Sequence, residues 1–304
     1  IEPARWYYWC DKLGLLVWQD MPSGDKYIGR EHPDIERTPE SAKQFEYELK
    51  RMIDQFYNNP SIVMWVPFNE GWGQWDTPRI VDLLRQWDPT RLVNHASGWT
   101  DRGVGDVNDI HSYPGPDMPP LEERRAAVLG EFGGLGLPLV GHTWQDKDNW
   151  GYRNYQDADE LLIAYMDLMT KLEPLKDKGL CAAVYTQTTD VEIEVNGLLT
   201  YDRVLAKMNP EFVRKINLGY LPPRIEADAD IFVESLMVTI KPSRQEGEIY
   251  YTLDGSDPGQ HSMLYEKPFK ITETTVVKAR MYFPNGSTSF AVDREFSTAT
   301  FKEP

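Results

Sequence analysis

Residues 61–71, SIVMWVPFNEG, constrain this chain most. An apolar run without alternation belongs to a strand covered on both faces, and this one leads straight into an Asn-Glu pair. A second run, 126–134 (AAVLGEFGG), carries Glu131 in the same way. Buried parallel strands deliver whatever follows them to one end of a sheet or barrel. Both carboxylates are therefore predicted at a C-terminal rim, where an acid and a nucleophile can face one small substrate.

Around these runs, strands and helices alternate. Strands are predicted at 13–20, 62–68, 91–95, 107–111, 128–131 and 180–187. Helices are predicted at 38–58, capped by Thr38 with Pro39 in the first turn, from Thr77-Pro78 onward, at 157–175, and after Asn209-Pro210. The apolar stripes that orient the first three are Phe45, Leu49, Met52, Ile53 and Phe56; Ile80, Leu83, Leu84 and Trp87; and Leu161, Leu162, Tyr165, Leu168, Met169 and Leu172. Six parallel strands with intervening helices make an α/β fold. No Gly-rich loop joins a strand to a helix, which removes the nucleotide-binding sheet. The expectation is a (β/α)8 TIM barrel lacking its first two strands in this chain, with those strands in an upstream part of the same polypeptide. After Pro222-Pro223 the pattern becomes short alternating strands (231–242, 247–253, 265–271, 274–282) with turn signals at Asp254-Gly255 and Asn285-Gly286, so an immunoglobulin/Fn3-like β-sandwich is expected. The predicted domains are 1–222 and 223–304, and the second shows no constellation of catalytic residues.

Composition narrows the partners. With 304 residues, 41% of them hydrophobic, the chain can bury a sizeable core, and Cys10 and Cys181 lie in apolar segments where buried thiols are expected. A formal charge of -16 speaks against nucleic acid and anionic membrane surfaces. Ten tryptophans and sixteen tyrosines suit flat sugar faces, although many such rings serve as core.

Each candidate has a plainer reading beside it. A single Glu after a buried strand is as often a solvated loop residue as a catalyst. His111 suits substrate contact better than a metal, and Asp109, Asp190, Glu192 and Glu194 match no metal spacing and read as solvated loop acids. Trp72, Trp75, Trp99 and Trp144 follow strands, where sugar platforms and loop packing compete.

The phrases DKLGLLVWQDMP, FNEG, DPTRLV (88–93), HSYPGP (111–116), GEFGG and VNGLLTYDR (195–203), in this order, resemble glycoside hydrolase family 2, the family of β-galactosidases, β-mannosidases and β-glucuronidases. IYYTLDGSDP (249–258) resembles the Fn3-like domain at the C-terminus of chitobiases and related hexosaminidases. The first resemblance implies a retaining exo-acting β-glycosidase with Glu131 as nucleophile and Glu70 as general acid/base, working on an oligosaccharide or glycoside; from the residue spacing, no cofactor or metal is expected. It further implies that Asn69 bonds the sugar 2-hydroxyl and that Tyr113 steadies the nucleophile. His111, Trp99 and Tyr185 complete the expected substrate contacts. Tyr185 stands where many relatives have a tryptophan, which makes the platform smaller. The absence of an Asn-Pro-Lys element speaks against uronic acids and leaves a β-galactosidase-like specificity ahead. The resemblance also implies N-terminal β domains upstream and a periplasmic or extracellular bacterial setting, with the oligomeric state open. A non-catalytic carbohydrate-binding fragment and a metal-dependent hydrolase built on His111 are the alternatives.

Overall fold

The computed structural model describes residues 1–22 and 24–299. By their contacts they form two compact units, one of 1–154 with 174–202, the other of 155–173 with the residues from 203 onward.

The first unit opens with a helix, α1 (Ala4–Leu13), where the sequence reading has only the start of a strand. Tyr7 and Cys10, one turn apart, are buried, and Gly14 closes the helix at φ +71°, a conformation costly for any residue with a Cβ. The first strand, β1 (Val17–Asp20), is therefore shorter than expected, and Leu15 and Leu16 remain exposed. Helix α2 (Pro39–Phe56) follows, with the Thr38 hydroxyl accepting from Ser41 N–H at 3.2 Å. All five residues of its predicted stripe are buried. Next come β2 (Ile62–Val66), α3 (Thr77–Trp87), β3 (Leu92–Val93), β4 (Val107–Ser112), β5 (Ala126–Gly133), the short β6 (Leu135–Gly136) and β7 (Arg153–Asn154), α4 (Ala158–Asp177), which crosses the division between units, and β8 (Leu180–Thr186).

Six of these strands form two parallel ladders, β1-β2-β3 and β4-β5-β8, and the backbone bond from Asp106 N–H to Val93 O (2.9 Å) brings β4 alongside β3. Met64, Val107 and Val128 pack together with Trp18, Val63, Ala126 and Ala182, so side chains from both ladders share one interior. Outside it, Phe45, Leu49, Ile53 and Phe56 of α2 and Ile80 and Leu84 of α3 cover β2. The DPTR phrase proves structural. Asp88 is fully buried and accepts from Trp65 Nε1 at 3.0 Å and Arg91 Nη1 at 2.7 Å, while Arg91 also donates to the carbonyls of Tyr57, Asn59 and Ile62.

Among the described residues β1 pairs only with β2, and β8 only with β5. That explains one correction. Cys181 lies on the uncovered β8 and is exposed, whereas Cys10 is buried as expected.

In the second unit, Leu161, Tyr165 and Leu168 of α4 are buried, and the Tyr165 hydroxyl donates to Asn217 Oδ1 (2.7 Å) at the end of α5 (Pro210–Asn217). Eight strands complete it: β9 (Arg224–Glu226), β10 (Ile231–Phe232), β11 (Leu236–Lys241), β12 (Glu248–Thr252), β13 (Met263–Leu264), β14 (Phe269–Ile271), β15 (Thr275–Tyr282) and β16 (Val292–Thr298). They form a sheet β14-β11-β9 and a sheet β10-β16-β15-β12-β13. Val238 and Ile240 from the first share a core with Val277, Ala279, Met281 and Phe296 from the second. The period-2 burial along β15 shows how alternation drives this packing.

Candidate active site

The strand ends of the first unit gather the chemistry. Glu70 sits in the turn after β2 at φ +52°, followed by Gly71 at +76°, and its N–H is fixed by Ser97 O at 2.9 Å. No Cβ fits at Gly71, where it would lie 2.2 Å from Ile28 O. Glu131 sits inside β5 beside a bulge. Ile110 pairs with Leu129 and His111 with Glu131, so Gly130 is the extra residue. Its N–H leaves the ladder and donates to Asp109 Oδ1 at 2.6 Å, and a Cβ there would stand 2.3 Å from Asp109 Oδ2.

The bulge turns Glu131 toward Glu70. One oxygen of each carboxylate and the Nδ1 of His111 lie within 4.8 Å of one another. His111 Nδ1 is 2.8 Å from Glu70 Oε1 and 3.4 Å from Glu131 Oε2. The Tyr113 hydroxyl donates a short hydrogen bond to Glu131 Oε2, and its ring stacks on Tyr152 with centroids 3.8 Å apart and planes at 5°. A nitrogen and two carboxylate oxygens this close resemble a cation site in composition. The 2.8 Å contact is instead a hydrogen bond that already occupies Nδ1.

Behind the pair runs a buried polar chain. His111 Nε2 meets Ser97 Oγ at 2.8 Å, Ser97 Oγ meets Asp109 Oδ2 at 2.8 Å, and Asn94 Nδ2 donates to Asp109 Oδ2 at 2.6 Å. Asp109 is thus no solvated loop acid: it is buried on β4, on the face it shares with Val107 and His111. Asp190 is buried too, accepting from Gly197 N–H at 2.8 Å.

Burial pushes the Glu131 carboxyl up, against the His111 charge and the Tyr113 hydrogen bond, while the charges of Glu70 and Asp109 add to the rise. Burial alone would lower His111, but the Glu70 hydrogen bond and the charges of Glu131, Asp109 and Glu70 outweigh it and raise the imidazole. Burial raises Tyr113, reinforced by the Glu131 charge. Asp20, at the end of β1, is pushed up to about 7 by desolvation and then by Glu131 and Asp109. Its side chain is nonetheless open to solvent along the wall of a cavity of about 510 Å³ that it lines with Trp18, Asn69 and Trp72, so water on that side discounts the rise.

The other predicted residues fall as follows. Asn69 lines that cavity, and its Oδ1 is buried without a protein partner, an acceptor left unsatisfied by the protein. Trp99 sets its edge against the His111 ring at 6.0 Å under the Arg30 guanidinium. Tyr185 lies over Gly133, where a Cβ would stand 2.4 Å from its ring. His111 itself is buried, with both ring nitrogens engaged by protein. Trp72 is exposed against Tyr27, Trp144 is exposed against Tyr201, and Trp75 belongs to the core. Sequence reasoning passed over Asp20, Ser97 and Tyr152. The first ends a strand exactly as far along as a rim residue should, which was a usable signal; the other two lie in loops and carry none.

Residues 2–135 match the model of the TIM barrel domain of glycosyl hydrolases family 2, and 238–296 match that of an Fn3-associated segment. A β-galactosidase of Thermoanaerobacterium thermosulfurigenes is 32% identical over 108 residues, 34% of this chain and 13% of that protein. A β-glucuronidase of Bacteroides fragilis is 24% identical over 189 residues, 58% of this chain and 22% of that protein. The chain spans between 10% and 25% of the length of the curated relatives it matches. Bacteroides uniformis β-glucuronidase 2 superposes with a TM-score of 0.51 at 15% identity, over 98% of this chain and 41% of that one, which is a likeness of fold. Both glutamates lie within the matched segment and on the strand ends that a barrel fold reserves for chemistry. Through residues 2–135, this chain resembles the TIM barrel domain of glycosyl hydrolases family 2.

Proposed function

We propose that the chain carries the catalytic pair of a retaining exo-acting β-glycosidase that removes terminal β-linked sugars, with β-galactosidase-like specificity. The observation that carries this reading is the spacing of Glu70 and Glu131, whose nearest oxygens lie within 4.8 Å. Retaining enzymes hold their carboxyls about 5–5.5 Å apart, whereas inverting ones leave about 6.5–9.5 Å for a water. Glu131 attacks the anomeric carbon while Glu70 protonates the departing oxygen. In the second step Glu70 takes a proton from water, which hydrolyses the ester on Glu131. Asn69 bonds the sugar 2-hydroxyl, and Trp99 and Tyr185 supply walls. Glycosidases of both galactoside and glucuronide type among the relatives support the reaction class.

The bare edges of β1 and β8 support a barrel completed by two further strands from the same polypeptide, preceded by β domains. In this reading 1–222 is the catalytic domain, and 223–304 an Fn3-like accessory sandwich. The partner is a glycoside, with neither nucleic acid nor membrane, in the periplasm or outside a bacterial cell. Those same edges favour a second reading, a carbohydrate-binding piece without turnover.

Replacement of the nucleophile separates the two. In the complete polypeptide, Glu131→Ala is expected to abolish turnover of a nitrophenyl β-glycoside, and added azide to restore it with an α-glycosyl azide as product. A β-azide would exchange the roles of the two glutamates, and an unaltered rate would favour the non-catalytic reading of this pair.

A further inference from the structure

The buried chain behind the carboxylates has a definite hydrogen count. Asp109 accepts from Gly130 N–H and Asn94 Nδ2, both of which can only donate, and takes the single Ser97 hydroxyl proton on Oδ2. Ser97 Oγ is then left with lone pairs toward His111, so Nε2 must carry the hydrogen of that 2.8 Å contact. On the other side of the ring, Nδ1 faces Glu70 Oε1 at 2.8 Å and Glu131 Oε2 at 3.4 Å; with the Glu70 acid proton on Oε2, where the leaving group is met, both facing oxygens carry only lone pairs, which a bare ring nitrogen would repel. A hydrogen belongs there as well. Both nitrogens protonated make an imidazolium, and the glycine at 98 lets it pack flat: a Cβ there would lie 2.7 Å from Nδ1.

From this geometry, and resting on the glycosidase reading above, we propose that His111 is a positioning residue whose imidazolium holds the two catalytic carboxylates at working distance. The cation occupies Glu70 Oε1, which leaves Oε2 as the oxygen that meets the leaving group. It also offsets the charge of Glu131, so two acids within 4.8 Å of each other do not drive each other apart. Deprotonation of Nδ1 would turn a lone pair toward both carboxylates and release Glu70. The alkaline limb of the pH profile is therefore governed by His111. The groups that face the ring are Glu70 after β2, Ser97 and the Trp99 edge after β3, Asp109 of β4, the Tyr113 hydroxyl through Glu131, and Glu131 of β5, with the charge of Asp20 on β1 at longer range. Three carboxylates around the ring account for its raised affinity for a proton.

Nitrogen NMR of the histidine-labelled 304-residue chain reads the state of the ring without any need for turnover. The chain has five histidines, and loss of a signal in His111→Gln assigns the one of interest. At pH 7 both nitrogens of His111 are expected to be protonated. Asp109→Asn, which keeps the shape and removes the charge, is expected to move the titration midpoint down by about one pH unit. Ser97→Ala, which breaks the link to Asp109 while leaving the ring in place, is expected to move it in the same direction by less, and remains available should Asp109→Asn fail to fold. In the complete polypeptide, the alkaline limb of kcat/KM should move down together with the NMR midpoint in each folded variant. A neutral His111 at pH 7, or a midpoint indifferent to both substitutions, overturns the proposal. So does an alkaline limb that stays in place while the NMR midpoint moves. In each of those cases azide rescue of Glu131→Ala still decides the glycosidase reading independently.

Discussion

At the scale of single residues, the proposed nucleophilic role of Glu131 depends on what keeps its carboxylate ionised. Burial raises its carboxyl, and the Tyr113 hydroxyl is one of two groups that oppose the rise. A nucleophile must be charged, so activity falls as pH drops through the folded-state value, and anything that raises that value carries the acid limb upward. Tyr113→Phe removes the donor and leaves the stack on Tyr152. It is expected to shift the acid limb of kcat/KM up by about one pH unit. It should also cost roughly 10- to 100-fold in kcat, the worth of a hydrogen bond to a charged group. An unmoved limb would detach Tyr113 from the nucleophile. Stability responds in the opposite direction to activity: the folded state binds this proton more tightly than the unfolded chain, so the Glu131 contribution to stability improves as pH falls toward the ordinary carboxylate range. Glu70 and Glu131 were legible because each follows an apolar run. Asp109 was legible in principle, since VNDIHS places Val107, Asp109 and His111 on one face of a strand by alternation alone. Its surroundings were not, because Asn94 and Ser97 come from the loop after β3 and Gly130 from β5.

At the scale of elements, the bulge in β5 decides where Glu131 points. A run such as AAVLGEFGG announces a strand, but whether its glycine is paired or extruded depends on a carboxylate from the neighbouring strand, which no local pattern reports. Gly130→Ala would bring a methyl within 2.3 Å of Asp109 Oδ2, a group held by three donors and unable to retreat. A loss of about 1–3 kcal/mol in stability is expected from overpacking, read as a lowered melting temperature. The loss of kcat/KM should exceed what that instability explains, because the nucleophile is re-aimed. Wild-type melting and wild-type rate together would show that the bulge is incidental. Helix α2 was legible down to its cap and stripe, since those signals are local, whereas α3 was legible by its start at Thr77-Pro78 but has no side-chain cap and buries Val81 with Ile80 and Leu84 in place of Leu83 and Trp87. Helix α1 was not: its WYYW run reads as well for a strand, and only the burial of Tyr7 and Cys10 chooses the helical period. Strand β16 was missed for the opposite reason, its charged residues alternating with few apolar ones.

At the scale of the molecule, the chain order of the six parallel strands followed from the alternation of strand and helix, and each ladder joins sequence neighbours in that order. What alternation does not report is which strands lie at an edge. The exposed Leu15, Leu16, Cys181 and Val184 mark β1 and β8 as such, and an apolar uncovered edge predisposes a chain to pair with further strands. Trapping the covalent intermediate tests the central claim most directly. The protein is treated with a panel of 2-deoxy-2-fluoro-β-glycosides carrying activated leaving groups, and the product is weighed intact and mapped by peptide mass spectrometry. The account predicts one fluoroglycosyl ester, located on Glu131, that water slowly removes while Glu70 stays unmodified. An ester on Glu70, or hydrolysis with inversion and no ester from any member of the panel, would contradict it.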